Sequence, residues 1–311
     1  MNIVALGGGH GLAASLRALR HAAAKLDLAV TAIVTVGDDG GSSGRLRSER
    51  GALPPGDLRQ ALAALADDEA TATLFQYRFE GSDALAGHPV GNLVLCGLME
   101  LCGDPVAALD QAGKMLRVGG RVLPMSREPV AIEADIRGAN PTSPDAMVTV
   151  RGQRHVAVAR GRVETVRLIP AAPAACAEAV EAVRTADWLL FGPGSWYTSV
   201  IPHLLIPELG TAIVASPARR LVMLNLAVEP ETAGLSLPDH LAALSWYLPE
   251  LRIDVVLADE KAVGDPAEVR RGAESLGARL ELAPVAAGDG SAQHDPVALA
   301  TALVPTLGSA R

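Results

Sequence analysis

Residues 2–47, NIVALGGGHGLAASLRALRHAAAKLDLAVTAIVTVGDDGGSSGRLR, decide the fold. Asn2 to Leu6 is a short apolar run that halts at Gly7, Gly8 and Gly9, and so reads as a buried strand entering a tight loop. Beyond the loop, Leu12, Leu16, Leu19 and Leu26 recur at the spacing of one helix face, which predicts a helix within Leu12–Ala29. Ala29 to Val36 (AVTAIVTV) is a second apolar strand, stopped by GDDGGSSG at 37–44, where glycines and paired aspartates cannot continue it. Strand, loop, helix and strand in that order open a doubly wound α/β sheet.

The same alternation continues outward. Helices are predicted over Asp57–Ala66, Asn92–Leu101 and Pro105–Leu116, the first introduced by Leu53-Pro54-Pro55-Gly56. From Val130 to Ile169 the pattern turns β-rich: VAIEADI, AMVTV, HVAVA and ETVRLI are separated by RGANPTSP and RG turns, predicting an antiparallel insertion at 130–170. Parallel α/β then resumes with a helix at Ala174–Thr185 and a strand at Asp187–Phe191 that runs into GPGS. A short helix and loop span Val200–Glu208. At least one further strand is expected within Thr211–Ala215 and Arg220–Leu224, and a helix at Leu237–Leu244. Late strands fall at Ile253–Ala258 and Leu280–Val285, and the tail after Gly288 is weakly specified. The expected organisation is one α/β domain over 1–311 carrying the insertion.

Composition narrows the functional classes. A formal charge of -8 argues against nonspecific nucleic-acid binding, which draws on a surplus of Lys and Arg. No apolar run reaches membrane-spanning length and the opening residues lack a signal-peptide pattern, so a cytoplasmic protein is expected. Aromatics make up only 3% of the chain, so packing must rest on Ala, Leu and Val; Ala-rich helices are compatible with a homodimer. Cys96, Cys102 and Cys176 match no common zinc spacing and read as buried thiols.

Three strand-end loops carry the chemistry. In GGGHGL (7–12), Gly8, Gly9 and Gly11 let backbone amides approach an anion, and His10 offers a donor or is simply a loop residue. The spacing is neither the dinucleotide GxGxxG fingerprint nor a P-loop. In TVGDDGGSSGRLR (35–47), Asp38 and Asp39 sit at the carboxyl end of the second strand, where adjacent carboxylates call for a cation or for hydroxyl donors. Ser42 and Ser43 add hydroxyls and Arg45 a guanidinium suited to phosphate. In GPGSWYTS (192–199), Gly192 and Ser195 repeat the theme, but Trp196 and Tyr197 exclude a GxSxG nucleophile elbow. Further polar candidates are Asp57 and Arg59, His88 and Asn92 in GHPVGN, Asn225, and Asp239–His240. Asp57, Asn92 and Asp239 read equally as helix caps, and His88 has no partner in view.

Taken together, GGGHGL, TVGDDGGSSGRLR, PPGDLRQAL (54–62), FQYRF (75–79), GHPVGNL (87–93), ADWLLFGPGSWYTSVIPHLL (186–205) and PDH (238–240) resemble the YvcK/CofD family, and within it the gluconeogenesis-factor branch. The resemblance implies a Rossmann-like fold and a cytoplasmic binder of UDP-sugars such as UDP-N-acetylglucosamine or UDP-glucose. Such members support cell shape and wall-precursor supply, with glucosamine-6-phosphate synthase as an implied partner. It places the nucleotide against Gly8, Gly9, His10 and Asn225, with Gly192 and Ser195 nearby. No cofactor is required on this reading. The related CofD branch implies instead a Mg²⁺-dependent 2-phospho-L-lactate transferase acting on the deazaflavin Fo in coenzyme F420 synthesis, with Asp38 or Asp39 at the metal. One departure stands out: Asn225-Leu-Ala-Val-Glu-Pro-Glu-Thr232 replaces the branch's Asn-MTQPGET, losing a Gln and a Gly and adding Glu229.

Overall fold

The computed structural model describes residues 1–309 except 141, 144 and 233. Seven strands form one parallel sheet: β1 (Asn2–Gly7), β2 (Ala29–Val34), β3 (Gly120–Pro124), and, after three strands of a separate small sheet, β7 (Trp188–Phe191), β8 (Arg219–Met223), β9 (Val255–Asp259) and β10 (Arg279–Ala283). Their spatial order is β10-β9-β8-β7-β1-β2-β3, with every neighbouring pair parallel. From β1 the chain therefore winds outward through β2 and β3, then returns to the other side of β1 and winds the opposite way. The reversal between β1 and β7 is a topological switch point, and the loops leaving those strands part to leave a crevice at their carboxyl ends. Burial on both faces explains why β1, β7 and β9 read as unbroken apolar runs.

The small sheet has the order β5-β4-β6 and is antiparallel, built from β4 (Ala131–Arg137), β5 (Met147–Arg151) and β6 (Arg162–Ile169). In β4, Ile132, Ala134 and Ile136 alternate inward, the pattern of a half-covered sheet. This matches the expected insertion, with one correction: HVAVA at 155–159 is not a strand. Most of it lies in a short helix, Gln153–Val158, entered through Gly152 at φ +105 and held by Asp39, whose Oδ1 accepts the Arg154 N–H at 3.0 Å. Residues 141 and 144 of the RGANPTSP turn lie outside the described residues.

The helices in chain order are α1 (Gly9–Ala22), α2 (Gly41–Arg50), α3 (Pro55–Leu65), α4 (Glu69–Gln76), α5 (Val90–Cys102), α6 (Pro105–Leu116), α7 (Gln153–Val158), α8 (Ala177–Arg184), α9 (Ile201–Leu204), α10 (Pro207–Ala215), α11 (Leu237–Tyr247), α12 (Pro266–Ser275) and α13 (Pro296–Gly308). The further strand expected within Thr211–Ala215 and Arg220–Leu224 is β8, whereas Thr211–Ala215 is the end of α10, because Pro207 starts a helix that Ser216 closes. The tail beyond Gly288 contains α13, capped by Asp295 through the Ala298 N–H and packed against α1. On α1, Leu12, Leu16 and Leu19 are fully buried together with Ala18 and Ala22. Each such leucine contributes about 1.5–3 kcal/mol of apolar burial, and the alanines let helix and sheet approach closely. Among the described residues, no single helix is long and apolar enough to cross a membrane.

Candidate functional site

The loops after β1, β2 and β7 meet at the switch point. Gly8 lies so close to its neighbours that a Cβ there would fall 2.4 Å from Thr35 Oγ1 and 2.7 Å from Asp57 Oδ2. A Cβ on Gly11 would fall 2.1 Å from the Pro193 carbonyl oxygen, so the first and third loops touch backbone to backbone. Gly8 and Gly40 are the N-caps of α1 and α2. Neither cap residue has a side chain, neither helix has an acidic residue in its first turn, and of the first-turn amides the Gly9 N–H is taken by Asp57. The N-termini of both helices thus border one cleft of about 620 Å³, lined by Gly8, Gly9, His10, Gly11, Gly40 and Gly41. Helix N-termini left open in this way carry partial positive charge and favour anions.

Side chains complete the cleft unevenly with respect to expectation. Ser42, Ser43, Asn92, Ser195 and Asp38 line it. Arg45 does not: its Nη2 donates to the Ala86 carbonyl at 2.6 Å. The cationic lining is supplied instead by Arg59, Arg78 and Arg154. Asp39 lies behind the lining, at the start of α7. Gly192 and Asn225 also sit outside it and shape the third loop from below: Ser15 Oγ donates to the Gly192 carbonyl at 2.9 Å, while Asn225 accepts the Gly194 N–H at 2.8 Å and donates to the Gly194 carbonyl at 2.9 Å. Asn225 instead lines a smaller cavity of about 320 Å³, which shares His10, Gly11, Gly194 and Glu229 with the cleft.

Asp57 enters from the first turn of α3, almost wholly buried. Burial, then the nearby Asp38, pushes its carboxyl up to about 6, against the opposing hydrogen bonds from Thr35, Gln153 and the Gly9 N–H. The Gly56 N–H donates to Ser43 Oγ at 2.9 Å, fixing α3 to α2, and Asp38 Oδ1 accepts the Gly40 N–H at 2.9 Å at the entry to α2. Asp38 and Asp57 are therefore the two aspartates facing the cleft. Among the described residues no group of three His, Cys, Asp or Glu side chains could hold a metal ion. Two carboxylates fit Mg²⁺ only where ligand phosphate oxygens and water supply the remaining positions, the usual pattern for that ion.

A buried chain of polar contacts runs along the opposite wall. Arg59 Nε donates to Asn92 Oδ1 at 2.8 Å, Asn92 Nδ2 donates to Ser42 Oγ at 2.9 Å, and Ser42 Oγ lies 2.7 Å from His88 Nδ1. Burial, then Arg78, pulls Arg59 down to about 10, which leaves it charged at neutral pH. His88 thus has the partner that the sequence did not reveal. Sequence reasoning missed Gln60, Gln153, Arg154, Thr198 and Ser199 as lining residues. The first follows Arg59 on α3, the next two lie on the unforeseen α7, and the last two lie on a π-helical turn, Trp196–Val200, whose signal is the GPGS that precedes it.

On the far wall Glu229 lines the cleft, and burial followed by Glu231 pushes its carboxyl up to about 7. Glu231 is itself buried and accepts the Tyr197 N–H at 2.9 Å. Asp239 closes a capping box with Ser236, and His240 packs edge-on to Trp196 at 5.5 Å, so neither reaches the cleft. Of the cysteines, Cys96 and Cys176 are buried and burial raises both thiols, whereas Cys102 is exposed, contrary to expectation.

Residues 3–283 match the family model described as 2-phospho-L-lactate transferase CofD. The chain belongs to the CofD family. Within the family it is 51% identical over 310 residues to a putative gluconeogenesis factor of Mycobacterium leprae, covering 97% of this chain and 85% of that one. The gluconeogenesis factor of Bacillus subtilis is 37% identical over 279 residues, covering 89% and 84% respectively. A crystal structure of a UPF0052-family protein from Bacillus halodurans superposes with a TM-score of 0.85 at 33% identity, covering 97% of this chain and 98% of that one. CofD-family membership thus agrees with the strand-end glycine loops and the sheet order.

Proposed function

We propose that the chain is a nucleotide-sugar-binding regulator that takes UDP-N-acetylglucosamine or UDP-glucose and acts as a gluconeogenesis factor in the cytoplasm. One observation carries this reading: two helix N-termini, each entered through glycines and free of acidic first-turn residues, border the same cleft. A diphosphate between them would meet the amides of α1 and α2, with Arg59, Arg78 and Arg154 balancing its charge. The volume of about 620 Å³ suits a ligand of that size. The similar proteins of Mycobacterium leprae and Bacillus subtilis, the first named a putative gluconeogenesis factor and the second a gluconeogenesis factor, add support. Calorimetric titration with UDP-N-acetylglucosamine, UDP-glucose, GTP and NAD tests the reading. UDP-sugar binding in preference to GTP and NAD is expected, and no UDP-sugar binding at millimolar ligand overturns it. On the same reading the chain acts through a partner such as glucosamine-6-phosphate synthase, and as a homodimer. Co-purification with that enzyme and sedimentation of the purified chain test the two separately.

A second reading is favoured by Asp38 and Asp57, the two aspartates lining the cleft, and by the description of the family model. Here the protein is a transferase moving 2-phospho-L-lactate onto the deazaflavin Fo, with Asp38 and Asp57 holding Mg²⁺ at the diphosphate. When bound, that ion supplies positive charge to the phosphate oxygens. The arginines orient the donor and Asp57 is relieved of its unfavourable buried charge. Incubation with Fo, an activated phospholactate donor and Mg²⁺ yields a heavier deazaflavin if this reading holds; no product beside a working control rules it out.

A further inference from the structure

Ser42 Oγ lies where two constraints meet. Arg59 has only donors, so its bond to Asn92 Oδ1 turns the Asn92 amide with its NH₂ toward Ser42. Ser42 Oγ must then accept that hydrogen, which leaves its own hydrogen and one lone pair to divide between His88 Nδ1 and the cleft. If the hydroxyl donates to Nδ1, the cleft meets a lone pair, which repels an anion. If Nδ1 carries the proton and donates to Ser42, the hydroxyl hydrogen is released toward the cleft, as an anion requires. Ser42, His88, Asn92 and Arg59 are all buried, so these assignments are not diluted by bulk water.

We propose that His88 is a positioning residue that sets the hydrogen of Ser42, and that an anion seated over α2 draws the His88 ring into its Nδ1–H tautomer. The inference rests on the cleft being an anion site. His88 does not line the cleft and acts through Ser42. Arg45 and Glu49 of α2 and Arg78 beyond α4 are the charged groups that act on the ring; burial and Arg45 together hold the imidazole neutral at physiological pH. The change is therefore between two neutral tautomers: Nε2 gives up a proton to water, Nδ1 gains one, and the net charge is unchanged. A ligand ammonium over Ser42, which can only donate, would draw the ring the other way. The same cleft then reports through one imidazole whether acceptor or donor chemistry occupies it.

Long-range proton–nitrogen NMR spectra of the full chain labelled in histidine nitrogen test this, with His88 assigned by its loss in His88→Asn. With inorganic pyrophosphate at saturation, His88 should show a protonated Nδ1 and an unprotonated Nε2, and in Ser42→Ala its ring should not respond to pyrophosphate. In His88→Asn the amide N–H stands in for Nδ1–H and should hold pyrophosphate affinity within about threefold, whereas His88→Leu should lose roughly tenfold or more. Calorimetry on the wild-type chain separates the two ways of failing. Binding of pyrophosphate with the ring in its Nε2–H form sinks the His88 assignment alone, while no binding of pyrophosphate or UDP sinks the anion site and the assignment with it.

Discussion

Thr35 Oγ1 donates to Asp57 Oδ2 over 3.1 Å, joining the end of β2 to the first turn of α3 directly beneath Gly8. That bond leaves Asp57 still short of what an ionised carboxylate needs in a buried place, and its carboxyl is pushed up from 3.8 to about 6. The unfolded chain gives up this proton near the ordinary value while the folded chain holds it, so between about pH 4 and 6 stability falls as pH rises. In Asp57→Asn that contribution is absent. Above the window the variant should gain on the order of 3 kcal/mol relative to wild type, compared with their difference near pH 4. Urea unfolding of both proteins across this range checks it, and parallel profiles would show that Asp57 is ionised in the fold at little cost.

Glu229 raises a second pH effect, this one on binding. Burial and Glu231 bring its carboxyl up to about 7, and it lines the cleft where a diphosphate is proposed. Below that value it is neutral; above it, a carboxylate faces a dianion. UDP-glucose affinity should therefore weaken as pH rises from about 6 to 8, by roughly tenfold at most. Glu229→Gln should bind nearly as wild type does at the lower pH and more tightly than wild type at the higher. A variant whose affinity falls with pH as steeply as the wild type would place the effect elsewhere.

The opening of the fold is legible in the sequence because its signals are local. Asn2–Leu6 and Ala29–Val36 are apolar and stop at glycines, so β1 and β2 match them to within two residues. The third strand, Gly120–Pro124, and the helix Glu69–Gln76 are not legible despite Gly119, Pro124 and the Asp68 cap, since each is short and owes its state to tertiary packing. HVAVA has strand composition yet is mostly helical, because Asp39, far away in the chain, caps its backbone. The same distinction governs the site. Gly8, Gly11 and Ser42 announce themselves in glycine-rich runs, whereas the Ser42–His88 and Arg59–Asn92 contacts join residues 46 and 33 positions apart. Arg45 looks like the phosphate ligand by proximity to those runs, but the turn of α2 delivers its guanidinium to the Ala86 carbonyl and leaves the cleft to other arginines.

Asn225 lies outside the cleft, so its removal separates shaping from contact. Its amide satisfies both the N–H and the carbonyl of Gly194, whose φ of +133 is a conformation open to glycine. Asn225→Ala leaves two backbone groups without their partner, a loss of about 1–3 kcal/mol of stability. Because Gly194 and Ser195 line the cleft, UDP-glucose affinity should fall as well, although the side chain does not face the cleft. Asn225→Asp keeps the acceptor and loses the donor, so it should recover part of both losses. Equal losses in the two variants would mean that the donor half of the clamp carries it.

Gly11 and Gly41 offer the sharpest contrast, because each opens a helix at the cleft for a different reason. At Gly11 a Cβ would meet backbone, the Pro193 carbonyl oxygen at 2.1 Å and the Gly194 Cα at 2.6 Å, and neither can swing aside as a side chain would. At Gly41 a Cβ meets nothing within 4 Å, and only its φ of +47 resists a side chain. Gly11→Ala must therefore push the β1 and β7 loops apart, costing about 1–3 kcal/mol or more in overpacking and widening the mouth between them. Gly41→Ala pays about 1–2 kcal/mol for left-handed backbone and keeps the α2 amides where they are. Urea unfolding should show both losses, but only Gly11→Ala should lower UDP-glucose affinity more than about tenfold. If both variants bound alike, contact between the two loops would not be what sets the geometry of the cleft.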